Sequence, residues 1–134
     1  MKKISFLLLL SAGIITRSYS QKITPSDLVG EWDQNITTHA AAIIFDDTSH
    51  VRFSYKGRTG STKKYYYLLD NSQTPAILTV DYKANHKKHR NEYLIQMVDK
   101  NTIKLQVLHK KDNRQNFDES GNSMIITLIR KLDL

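Results

Sequence analysis

The chain has no cysteine among its 134 residues. Disulfides, thiolate metal centres, cysteine nucleophiles and a lipid anchor on an N-terminal cysteine are therefore excluded. A domain without cross-links has to be held by ordinary burial of apolar surface. Proline (2) and glycine (5) are scarce. No Pro-rich linker, internal repeat or low-complexity segment appears, so a single domain is expected. Beyond the N-terminal region no apolar run approaches the ~18–20 residues that span a bilayer, and no transmembrane segment is expected in the mature chain. Nothing resembles a glycine-rich phosphate loop. His39, His50 and His109 fall at predicted strand ends with no Ser–His–Asp grouping. No catalytic residue and no cofactor is nominated, and the chain reads as a non-enzyme.

What is present begins with a leader. Met1-Lys2-Lys3 is basic, Ile4 to Ile15 is apolar, and Ser18-Tyr19-Ser20 offers small residues where a signal peptidase reads. This pattern predicts a cleaved signal peptide over 1–20 and one domain over 21–134, secreted or periplasmic. Removing Lys2, Lys3 and Arg17 lowers the formal charge from +7 to about +4. Much of the basicity is thus targeting chemistry, and no nucleic-acid partner is expected.

From Trp32 onward alternation, β-branched residues and aromatics dominate. Thr24-Pro25-Ser26-Asp27-Leu28 predicts a single helical turn, with an N-cap Thr, a Pro at the first helical position and an acid at the third; Gly30 ends it. Eight strands are then expected: Trp32–Thr38, Ala41–Phe45, His50–Tyr55, Lys64–Leu69, Ala76–Tyr82, Glu92–Val98, Thr102–His109 and Ser123–Lys131. Turn chemistry separates all but the first pair. Val51, Phe53 and Tyr55 share one face, as do Leu78, Val80 and Tyr82, and Ile103, Leu105 and Val107. One buried face and one wet face mark an antiparallel sheet. The orientation of Tyr65, Tyr66 and Tyr67 stays open, because aromatics fall on both parities. Eight sequential strands with short connections predict an all-β fold, a single antiparallel up-and-down eight-stranded barrel with a short N-terminal helical turn.

The opening turn, Gly30-Glu31-Trp32 at the start of strand one and Leu128-Ile129-Arg130-Lys131 on the last strand together resemble the lipocalin-like barrels of the calycin superfamily. The layout looks like the small secreted lipocalin-like proteins of bacteria. The resemblance implies that Trp32 and Arg130 pack against each other and plug one end, so Gly30, Trp32 and Arg130 are expected to serve barrel closure. It covers the mature chain as a pattern and two short stretches as motif. The chain departs from typical members in lacking a disulfide and a C-terminal helix.

In a meander, connections alternate between the two ends. The second, fourth and sixth are short and carry Asp46, Asp47, Asp70 and Asp99, at the end of Trp32 and Arg130. The third, fifth and seventh are expected to be long and basic. They carry Lys56 and Arg58; Lys83, His86, Lys87, Lys88, His89 and Arg90; and Lys110, Lys111 and Arg114. Function sits more often on long loops of a rigid scaffold. A basic rim around an apolar interior points to a small hydrophobic or amphipathic ligand, with an anionic head, bound at the barrel mouth. Phe53, Tyr55, Tyr82, Tyr93, Ile95 and Leu105 are the expected interior contacts, although Leu94 and Val98 sit on the opposite parity to Tyr93 and Ile95. Lys56, Arg58, Lys88 and Arg90 are the expected rim contacts. His86 and His89 have metal-ligand spacing, but flanking cations oppose a divalent ion, so no metal site is expected.

Two alternatives stand beside this reading. Basic loops also serve simply to keep a secreted protein soluble, or to meet an anionic surface or a protein partner. A barrel this small can be filled by its own side chains and act as a protein–protein interaction or inhibitor module. If Phe53, Tyr55, Tyr82 and Tyr93 all meet at the centre, ligand binding fails.

Overall fold

The computed structural model describes residues 22–34, 41–55 and 63–132. The expected leader, Lys56 and Arg58 lie outside them, as does the side chain of Tyr55. The helical turn α1 spans Pro25–Leu28. Thr24 donates from its backbone N–H (2.8 Å) and hydroxyl (2.7 Å) to the Asp27 carboxylate, and the Asp27 N–H returns to the Thr24 carbonyl. Satisfying these groups fixes where the chain turns into the barrel.

Eight strands follow: β1 Gly30–Gln34, β2 Ala41–Phe45, β3 His50–Tyr55, β4 Tyr65–Asp70, β5 Ala76–Ala84, β6 Lys87–Asp99, β7 Thr102–Leu108 and β8 Ile125–Arg130. They form a closed antiparallel barrel in sequence order, and β1 meets β8 with Trp32 opposite Arg130. Every neighbouring pair is a sequential hairpin except this closure, so the expected meander is the observed topology. The β3–β4 joint is short: His50 pairs with Tyr66 and Val51 with Tyr65 among the described residues.

Alternation sorts the side chains. All eight strands send residues into one interior cluster, including Trp32, Phe45, Val51, Tyr67, Leu78, Ile95, Leu105 and Leu128, with Ile23 and Leu28 of the N-terminal segment at its end. The tyrosine triplet resolves the same way. Tyr65 and Tyr67 point inward, while Tyr66 is 66% exposed. On β6, Tyr93, Ile95 and Met97 face in. Leu94 faces out, yet is buried with Ile77, Leu108 and Phe117.

That outer cluster corrects one expectation. The connection between β7 and β8 does not stand up as a basic rim loop; it lies along the outer wall. Phe117 packs on Ile77 and Leu94, and Lys104 sits 4.5 Å above its ring and 2.5 Å from Glu119. Arg114 forks Glu92 with two contacts of 2.8 Å, and its carbonyl accepts from Gln73 in the turn between β4 and β5. The fully buried Gln106 accepts from the Asp118 N–H at 2.7 Å. The charge on Arg114 is therefore engaged in holding the strap, away from the mouth.

A second correction concerns the fifth connection. The predicted connection over residues 83–91 is a tight turn at Asn85-His86, both with positive φ (50° and 60°). Two such residues match the right-handed twist of a hairpin, and Asn tolerates this backbone better than most. The strands therefore run on to Ala84 and back from Lys87, so Lys83, Lys87, Lys88, His89 and Arg90 stand on strands. Turn-like composition masked the alternation of KKHRN.

The closed end is built on Arg130. Its guanidinium lies 4.1 Å over the Trp32 ring. It donates to the carbonyls of Asp27 (2.6 Å), Val29 (2.7 Å) and Lys100 (3.3 Å). Trp32 in turn donates its indole N–H to the Leu28 carbonyl at 2.7 Å. Asn71 donates to the Ile23 carbonyl. Tyr67 donates its hydroxyl to the Asp47 carbonyl, and burial pushes its phenol up to about 12, keeping that proton in place. Gly30 has φ +127°, and a Cβ there would lie 3.2 Å from Arg130 Nη1. The glycine is required both by its backbone and by the closeness of the arginine.

Three outcomes follow for stability. Arg130→Met removes the charge-assisted hydrogen bonds and the contact on Trp32, and should lower unfolding free energy by about 2–4 kcal/mol in urea titration. Gly30→Ala should cost about 1–3 kcal/mol in the same assay through the strained backbone. Asp47 accepts the Ser49 N–H and hydroxyl and the His50 N–H, which hold its carboxyl at about 2, below its ordinary 3.8. Its contribution is present above pH ~4 and fades as pH falls towards 2. Unfolding curves of the parent and Asp47→Asn should therefore differ at pH 6 and converge near pH 2.

Candidate functional site

The β5–β6 hairpin projects past its neighbours at the end away from Arg130, because β4 begins only at Tyr65 and β7 ends at Leu108, opposite Glu92. In the projecting part Tyr82 pairs with His89, Lys83 with Lys88, and Asp81 with Arg90. Alternation makes two rows of these residues. The inward parity carries rings and the outward parity carries charge.

The ring row crosses four strands. Phe53 lies 6.0 Å from Tyr65, Tyr65 meets Tyr82 edge-on at 6.0 Å, and Tyr82 stacks on His89 at 5.1 Å with an 18° interplanar angle. Edge-on and stacked pairs at these separations are favourable contacts that fix the ring positions. Only Phe53 and Tyr65 of this row pack against the interior cluster. Tyr82 and His89 stand above it, at the mouth.

Around these rings the structure forms a half-open groove of about 710 Å³. Its floor and sides are Tyr65, Tyr66, Tyr82 and His89, and its rim is Lys63, Lys64, Lys83 and Lys88, with Asp81 and Arg90 at one side. The volume falls within the roughly 300–1,000 Å³ typical of small-molecule sites. Among the described residues Asp81 is the one carboxylate lining it. Arg90 forks that carboxylate at 2.8 and 3.1 Å and holds its carboxyl below the ordinary 3.8. Arg90 is thereby committed to a neighbour, and the lysines carry the excess positive charge. Lys63 Nζ sits 5.8 Å from the Tyr65 ring centre and donates to the Lys83 carbonyl at 3.4 Å. An anion placed between the lysines and the rings would meet ammonium groups on one side and ring edges on the other.

The residues expected from sequence distribute across three places. Tyr82, Lys88 and Arg90 line the groove, and Phe53 supports it through Tyr65. Tyr93 packs against the interior cluster, while Ile95 and Leu105, 0% and 1% exposed, are core filling. The four aromatics named as the test of a filled centre do not all gather there, since Tyr82 sits with the groove. Lys63, Lys64, Tyr65, Tyr66, Asp81, Lys83 and His89 are the lining residues that sequence reasoning did not nominate. A signal for the first four existed in Lys63-Lys64-Tyr65-Tyr66-Tyr67, where charge gives way to rings at the entry to β4. Among the described residues no group of three His, Asp or Glu gathers as cation ligands, and no helix is long and apolar enough to cross a membrane. The architecture is compatible with a lipocalin-like barrel. Comparison with protein-family models, with curated proteins and with solved structures finds no match for the chain.

Proposed function

We propose that this protein is a non-enzymatic binding protein, secreted or periplasmic, that holds a small amphipathic molecule by its anionic head at the open end of the barrel. One observation carries the reading: an aromatic-lined groove rimmed by four lysines lies at the end opposite the Arg130 plug. Ammonium groups are mobile point charges and suit an anionic head without demanding one planar geometry. Rings in fixed contact offer the adjoining hydrocarbon a surface that costs little entropy to order. Because Ile95 and Leu105 are already packed, the ligand lies shallow, across the Tyr65–Tyr82–His89 row, with its tail along the mouth.

The packing of Ile95 and Leu105 in the interior also favours a second reading, a barrel that acts only as a protein-binding module. Titration with anilinonaphthalene sulfonate and with dodecyl sulfate below micelle formation separates the two. Saturable binding is expected. It should weaken about tenfold in the Lys83→Gln, Lys88→Gln double variant, as expected for two exposed charge contacts of ~0.5–1 kcal/mol each. It should weaken again with added salt, and Tyr82→Ala should reduce it further. Absence of saturable binding, or equal affinity in the double variant, would overturn the small-ligand reading.

A further inference from the structure

The outer face of the same hairpin region carries a different pattern. On β4 the outward positions run Lys64, Tyr66, Leu68. Tyr66 and Leu68 are 66% and 67% exposed, large apolar side chains standing side by side on one strand. Across the sheet Tyr66 pairs with Asp81 and Leu68 with Thr79, and the next strand places Arg90 and Glu92 in those rows. At the mouth the outward row is Lys83 beside Lys88, with Lys64 on the chain entering β4.

The charges on this face do not cancel. Asp81 is held by Arg90, Glu92 by Arg114, and Asp46, beyond β3, by Arg52. Lys64, Lys83 and Lys88 make no ion pair among the described residues. Asp47 and Asp70 lie towards the closed end, where they are bonded by Ser49 and Ser72. The face is therefore graded, with lysines at the mouth, an exposed ring and a leucine behind them in rows whose Asp81 and Glu92 are each held by an arginine, and Asp47 and Asp70 farther away.

We infer that this face docks the open end of the barrel onto an anionic lipid surface. The lysine row meets the headgroups, and Tyr66 with Leu68 enters the headgroup–acyl boundary. Tyrosine favours that boundary because its ring is apolar and its hydroxyl wet. Juxtaposed lysines supply the attraction to anionic lipid. A free polyanion would satisfy the lysines equally but leaves Leu68 without a role, and the exposed apolar pair favours the bilayer. The surface shares Lys64, Tyr66, Lys83 and Lys88 with the groove, and Leu68, which lies outside the groove lining, is what extends it onto the outer wall.

The test is a position-specific readout in the full chain. Tyr66→Trp reports on this face, and Val98→Trp, at another exposed position (62%) near the closed end, is the control. The native Trp32 is fully buried and gives a constant background. With vesicles of phosphatidylglycerol carrying brominated chains, Y66W emission should move to the blue and be quenched, and V98W emission should not. Vesicles of phosphatidylcholine should leave both unchanged. Each Lys→Gln change at Lys64, Lys83 or Lys88 should weaken the Y66W response roughly fivefold. Equal quenching at both positions, or none at Y66W, would overturn the inference. So would tight retention on heparin together with an unquenched Y66W, which assigns the face to a soluble polyanion.

Discussion

Arg130 is the residue on which the barrel's closure turns. Seven strand pairings join neighbours in sequence; the eighth joins the two ends of the chain. There the backbone ladder is short, with Trp32, Asp33 and Gln34 opposite Arg130, Ile129 and Leu128. One guanidinium reinforces it by collecting carbonyls from α1, from the entry to β1 and from the β6–β7 turn. Those carbonyls come from segments about a hundred residues and about thirty residues away, so a single side chain ties two distant stretches of chain to the last strand. The planar fork suits this task in a way an ammonium does not, because it stacks on Trp32 while donating sideways.

Closing one end so firmly decides where chemistry is possible. Trp32, Leu28 and Ile23 fill the plugged end, and the hydrophobic cluster continues upward through Phe45, Tyr67, Leu78 and Ile95. Concave space remains where the β5–β6 hairpin rises beyond the strands beside it. The strap between β7 and β8 reinforces the asymmetry. By lying on the outer wall and burying Leu94 and Gln106, it stiffens β5–β7 and leaves the mouth uncovered on that side.

The barrel was legible because alternation is a backbone property, and most strands here carry apolar residues on a single parity. The plug was legible because Gly30, Trp32 and Arg130 combine an unusual backbone, an unusual side chain and a defined strand parity. The groove was harder to read. KKHRN has the composition of a loop, and it is strand because the chain reverses tightly at Asn85-His86 and pairs it back onto β5. Leu94 sat on the wet parity of β6, and both it and Gln106 are buried because the strap supplies a second layer, a tertiary contact that no local pattern encodes. Lys63 to Tyr66 went unnominated because three successive tyrosines suit either register equally well.

The two faces of the mouth interleave residue by residue, and that has an evolutionary consequence. Lys64, Tyr65, Tyr66 and Tyr67 point alternately out and in, as do Tyr82 and Lys83, and Lys88 and His89. Loss or gain of one residue within these strands would exchange the aromatic lining for the lysine rim and turn the mouth inside out. Exchanges of lysine for arginine, or of one ring for another, leave that arrangement standing. Length within β4, β5 and β6 is thus under far tighter constraint than identity, and variation in this protein should accumulate as substitutions there and as insertions only at the turns.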